Sequence, residues 1–167
     1  MIYVLRLLHI LSGAFWYGTV IFNARFLMPS LQAVGPAAGA VMAQLNQRKI
    51  HIVLMGASIL NVVSGIWLIF IVSGGAPGVW MKTGMGRAIG IGSALTILAF
   101  LSGMFTTAPA AKRMGAIAAA AAKRGGPPTP EEVAEVGRLQ KHVAIGTIIA
   151  AALLTLAVSA MAVARYL

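Results

Sequence analysis

The stretch Ile50–Val72, IHIVLMGASILNVVSGIWLIFIV, decides the fold. Its 23 residues include no aspartate, glutamate, lysine or arginine. A bilayer's hydrocarbon core is ~30 Å thick, and a helix rising ~1.5 Å per residue needs ~20 apolar residues to cross it. Three further stretches share this character: Ile2–Phe22, whose only basic groups are Arg6 and His9, and residues 88–108 and 143–164. In lipid, only helices and closed barrels pair every backbone N–H and C=O. The expectation is an all-α chain: an integral membrane bundle of four antiparallel transmembrane helices, with residues 1–167 in one domain.

Composition agrees. Of 167 residues 59% are hydrophobic, and the mean hydropathy is +0.90, well beyond what a water-soluble domain carries. Cysteine is absent, which excludes disulfides, thiolate metal sites and cysteine nucleophiles. Aspartate is absent too, and the three glutamates (Glu131, Glu132, Glu135) stand together outside the spans. No carboxylate remains within them for a proton relay or a two-carboxylate hydrolase. The net charge of +10 reads as contact with lipid headgroups rather than nucleic acid, because basic residues cluster at span ends.

The same charges set the orientation. Arg25, Arg48 and Lys49 lie between the first two spans. Lys112, Arg113, Lys123, Arg124, Arg138 and Lys141 lie between the last two, whereas the middle connection holds only Lys82 and Arg87. The positive-inside rule puts the first and third connections in the cytoplasm and both termini outside, on the periplasmic face of a bacterial inner (plasma) membrane. The first span lacks a preceding basic segment and exceeds a signal peptide's apolar core, so it reads as a retained helix.

Some helices are expected to run on into the cytoplasm. Thr129-Pro130-Glu131-Glu132 is a helix start: an N-cap, a first-turn proline and a capping-box glutamate. A helix from there to the end of the last span covers ~35 residues, or ~53 Å. The second helix is expected to begin near Pro36 and to pass through Gln44, Asn46 and Gln47. The third is expected to continue past Pro109, with a kink, into the alanine-rich residues 116–122. Gly125-Gly126-Pro127-Pro128 breaks the chain, and Gly74-Gly75-Ala76-Pro77-Gly78 is the outer turn. No internal repeat is evident. Small residues within the spans, among them Ser12, Gly13, Ser58, Ser64 and Gly65, permit close helix approach.

The candidate chemistry rests on three histidines. Ionisable groups in a span are costly and usually face the bundle interior, and neutral imidazole ligates haem iron and transition metals. His51 and His142 stand at the cytoplasmic ends of the second and fourth spans, at similar depth. With Arg48 and Lys141 beside them for propionates, and Gly146 one turn beyond His142 leaving a flat gap, they suit a b-type haem held by two imidazoles. The bland alternative makes both rings interfacial anchors. His9 lies ~10 Å below the outer surface, by rise per residue, too far to share their iron. Gly13 is one turn along on its face and Trp16 follows, with Met81, Lys82 or Met85 as outer partners. Asn61, polar at mid-membrane, is expected to make an interhelical hydrogen bond. Thioether sulfur suits copper(I), but only Met81 and Met85 among the nine methionines have helical spacing.

Leu7-Leu8-His9-Ile10, Trp16 and Arg25 in the first helix, with Arg48-Lys49, Gly56 and Gly65-Ile66-Trp67-Leu68 in the second, resemble a group of small bacterial membrane proteins. The group comprises the HemJ-type protoporphyrinogen oxidases, the CopD copper-resistance proteins and their CopD-like relatives. The resemblance covers most of the chain and implies that His9 binds haem or metal. The Trp–Lys pair that opens the third helix of the HemJ type has Trp80 and Lys82 near it at a different spacing. The Asn-Glu-x-Pro opening of its fourth helix is replaced by Lys141-His142-Val143-Ala144, so the likeness is nearer to the CopD-like members. Three functions follow as expectations. The first is a b-haem protein of electron transfer or porphyrin redox chemistry, with His9, His51 and His142 as ligands and Gly13, Gly146, Arg48 and Lys141 around them. The second is copper handling. The third is a non-catalytic subunit of a larger membrane complex or a homo-oligomer, with the lipid bilayer as partner and no nucleic acid.

Overall fold

The protein, described by a computed structural model over residues 1–35 and 38–167, is helical, with no strand among those residues. Four helical rods are long and apolar enough to cross a membrane: Ile2–Ala33, Ile50–Val72, Gly84–Arg124 and Pro130–Tyr166. The first comprises α1 (Ile2–Phe22), a π-helical segment (Asn23–Leu27) and α2 (Met28–Ala33). After α3 (Ala38–Gln47), α4 (Ile50–Val72) is the second rod. A short α5 (Pro77–Trp80) leads to α6 (Gly84–Ser102), a second π segment (Gly103–Thr107) and α7 (Ala108–Arg124). The fourth rod is α8 (Pro130–Val163) with a terminal 3-10 turn, Ala164–Tyr166.

Both π segments precede a proline in the next helix, Pro29 and Pro109. A proline ring inside a helix collides with the carbonyl four residues back, here that of Arg25 or Phe105. Both carbonyls lie within the π segments, where the wider turn carries them away from the ring. The bend expected at Pro109 therefore takes the form of a widened turn. A shared device links the first and third rods, though their sequences show no repeat.

The second helix departs from expectation. Its expected start near Pro36 lies outside the described residues. Beyond it, α3 does not run on through Arg48 into the span: the chain breaks at Lys49, which adopts left-handed backbone angles (φ 55°, ψ 33°). Arg48 N–H and Lys49 N–H close the end of α3 on the carbonyls of Gln44 and Asn46, and α4 restarts at Ile50.

The rods associate as α1 on α4 and α6 on α8, and α8 also meets α1, α7 and both π segments. What they bury is small. Ala99 and Ala157 are 1% exposed, Leu154 is 3%, and the most deeply buried polar side chain is Ser64 at 1%. Trp16 packs into the cluster of Ala99, Ala150 and Leu154, where α1, α6 and α8 meet. Large apolar side chains point outward instead, including Phe105, Ile145, Ile148 and Leu156. Tyr17 Oη donates to Thr155 Oγ1 at 3.2 Å, since the threonine hydroxyl already donates to the Ala151 carbonyl.

The α7–α8 turn is held by polar groups. Gly125 ends α7 with a positive φ of 69°. Thr129 caps α8 as expected: its Oγ1 accepts from Glu132 N–H, and Glu132 accepts in return from Thr129 N–H at 2.9 Å. Arg124 pairs with Glu132 at 2.5 Å, and Arg113 grips both oxygens of Glu135 at 2.8 and 3.2 Å. The arginine hydrogen bonds come first among the causes that hold the Glu132 and Glu135 carboxyls below the usual range.

Candidate functional site

His9 is on the third turn of α1, and that turn packs against the middle of α4. Two glycines allow the approach, each serving the opposite helix. A Cβ at Gly13 would lie 2.6 Å from Asn61 Nδ2, and a Cβ at Gly65 would lie 2.8 Å from His9 Cε1. Asn61 thus occupies the notch at Gly13, and the His9 ring occupies the notch at Gly65. Each polar residue has its own helix's glycine four positions later, on the same face.

The hydrogen bonds are reciprocal as well. Asn61 Nδ2 donates to the His9 carbonyl at 2.9 Å. His9 Nδ1 lies 2.9 Å from the Asn61 carbonyl and 3.2 Å from Ser64 Oγ. A carbonyl can only accept, so this contact assigns the proton to Nδ1 and leaves Nε2 its lone pair; Asn61 Nδ2, 3.4 Å from Nδ1, donates to the nearer His9 carbonyl instead. Ser64 Oγ donates to the Leu60 carbonyl at 2.5 Å and is left to accept from the imidazole. Ser12 turns its hydroxyl onto the Leu8 carbonyl at 2.6 Å. Asn61 is 6% exposed and Ser64 1%, and no buried side-chain N or O atom among the described residues lacks a partner. His9 is half-buried, and its Nε2 makes no hydrogen bond with the described residues.

This arrangement leaves one imidazole nitrogen chemically able to ligate. A metal-binding histidine commonly donates its second N–H to a carbonyl, which fixes the tautomer and raises the basicity of the ligating nitrogen. Gly13 is committed to Asn61, so it widens the helix contact rather than opening space for a cofactor. Trp16 packs against Ala99 of α6 and Ala150 and Leu154 of α8.

The remaining candidates stand apart. His51 is exposed on the first turn of α4, and Arg48 before it is exposed too. His142 and Lys141 are exposed on α8, where His142 lines a groove with residues of the third rod and of α8 but none of α4. His51 does not line that groove: α4 packs on α1, while α8 packs on α6 and α7. At Gly146, Thr107 and Thr106 Oγ1 lie 3.1 and 3.3 Å from where a Cβ would stand, so hydroxyls occupy the expected gap. Met81 folds onto Gly90 of α6. Among the described residues, no group of three or more His, Cys, Asp or Glu is placed to hold a metal ion. Ser64 and Gly65 are the site residues that sequence reading passed over as plain packing. Their signal is the matched spacing of His9 to Gly13 and Asn61 to Gly65.

No family model, no curated protein and no solved structure matches this chain.

Proposed function

We propose that this is a four-span integral membrane protein whose spans run antiparallel, with both termini on the periplasmic side of a bacterial inner membrane, and that it binds b-type haem at His9 for membrane electron transfer or porphyrin redox chemistry. The observation that carries the site is the His9 Nδ1 contact with the Asn61 carbonyl, which leaves Nε2 bare in an otherwise satisfied polar cluster. Small and polar groups inside, with large apolar groups outside, suit lipid as the solvent. Antiparallel pairing is supported by register: Gly84 meets Leu167, Gly92 meets Ala157 and Met161, and Gly146 meets Thr107.

The residues fit the cofactor in one respect that needs no further geometry: His9 Nε2 offers a nitrogen that would hold its iron, with the ring oriented through the Asn61 carbonyl and Ser64. Haem bound there would supply one-electron transfer. Asn61 holds the His9 backbone, Gly65 gives the ring its place, and Ser64 backs the Nδ1 proton. The resemblance of the first helix to the CopD-like and HemJ-type proteins supports the same residue. The separate surroundings of His51 and His142 favour anchoring roles for both.

The test is the absorption spectrum of detergent-purified protein from haem-replete cells. A Soret band is expected in the wild type, retained in His51→Ala and His142→Ala and lost in His9→Ala. A colourless wild type, or one holding copper by elemental analysis, contradicts the proposal.

A further inference from the structure

A groove of about 480 Å³ opens between the third rod and α8, beside the second π segment. Its apolar lining is Phe105 and Pro109 on the third rod and Leu139 on α8, with Phe105 68% exposed. α8 also contributes Arg138 and His142, one turn apart, together with Glu135. Both oxygens of Glu135 are taken by Arg113, so that pair cancels. Glu132 is likewise bound to Arg124, and Glu131 lies in the first turn of α8. With three glutamates and no aspartate in the chain, no carboxylate pairs with Arg138.

We infer that this groove binds an anionic phospholipid, its phosphate on Arg138 and His142 and its acyl chain along Phe105 and Leu139. The exposed Arg138 guanidinium makes no direct ion pair, so its N–H donors are open to an oxyanion, and arginine matches phosphate with paired N–H donors. The apolar lining and the volume exceed what an inorganic phosphate needs and suit an amphiphile. The place suits it as well: basic pockets between spans at the cytoplasmic boundary take anionic headgroups. The inference rests on the bilayer placement proposed above and is independent of haem.

The experiment follows the thermal midpoint of the full chain in uncharged detergent during titration with phosphatidylglycerol, phosphatidylcholine or inorganic phosphate. Phosphatidylglycerol is expected to raise the midpoint saturably, with no response to the other two at equal concentration. Arg138→Gln is expected to weaken the apparent affinity about tenfold or more, as loss of a hydrogen bond to a charged group implies. His142→Gln gives a second reading in the same direction, and Arg165→Gln, in the 3-10 turn beyond the far end of α8, leaves the response unchanged. An equal response from wild type, Arg138→Gln and His142→Gln, or from phosphatidylcholine, overturns the inference. A response to inorganic phosphate reassigns the groove to free anions and overturns the lipid. Failure of the bilayer placement would show separately, as a chain that stays dispersed without detergent.

Discussion

At Gly13 and Gly65 a single hydrogen serves as side chain because a partner's polar group fills the space beyond it. Substituting Gly13→Ala places a methyl 2.6 Å from a buried amide nitrogen that is already hydrogen-bonded, so the helices must separate or Asn61 must leave its carbonyl. The expected cost is about 1–3 kcal/mol, as for other overpacked interiors. Gly56, on the same helix as Asn61, has nothing within 4 Å of its would-be Cβ. There alanine is expected to be neutral or to stabilise by up to about 1 kcal/mol through helix propensity. Thermal denaturation of both variants in one detergent checks the pair, and an equal loss would contradict the notch. At this scale the sequence was informative in part. His9 stood out by its depth, and Asn61 as a polar group at mid-membrane in need of an interhelical hydrogen bond. Their pairing with Ser64 and Gly65 depends on how two helix surfaces register, which neither span states alone. The same reason limits the pairing of His51 with His142: residue count gives depth along a helix, while packing sets the direction a side chain faces.

Among the elements, the α7–α8 turn is the one most dependent on charge. Arg124 and Arg113, with the Thr129 N–H, favour the ionised forms of Glu132 and Glu135, so both titrate below the ordinary carboxylate range. Their contribution is complete above the unfolded glutamate value of about 4.3 and is lost as pH falls through the lowered folded values. Amide exchange protection at the start of α8 is therefore expected to hold from pH 7 to about pH 5 and to decline only below about pH 4.3, after correction for intrinsic rates. Thr129→Ala, which removes the cap, is expected to lower that protection at all these values by about 1 kcal/mol. Protection that weakens between pH 7 and 5 would contradict the assignment. This turn was legible because a capping box and a Gly–Gly–Pro–Pro break are local signals. The break at Lys49 was not: neither residue 48 nor 49 is glycine or proline, and a lysine in the left-handed region has no local mark.

For the whole molecule, four long apolar helices were legible from composition alone, since spanning length is a count of residues. The inward small residues and outward large ones extend that reading from sequence to packing. The absence of cysteine makes topology easy to test. Single cysteines at Ser73 and Gly126 fall in the two connections predicted to lie on opposite sides. In intact spheroplasts, a membrane-impermeant thiol reagent is expected to label Ser73→Cys, and Gly126→Cys only after lysis. The reverse pattern would invert the orientation, and labelling of both before lysis would remove the span between them.

The central claim concerns one nitrogen. In haem-free protein carrying ¹⁵N-histidine, with His51→Gln and His142→Gln leaving His9 as the sole imidazole, the ¹⁵N spectrum reports which ring nitrogen bears the proton. The account predicts a protonated, hydrogen-bonded Nδ1 and a bare Nε2. A proton on Nε2 would leave no lone pair for a ligand there and would contradict it.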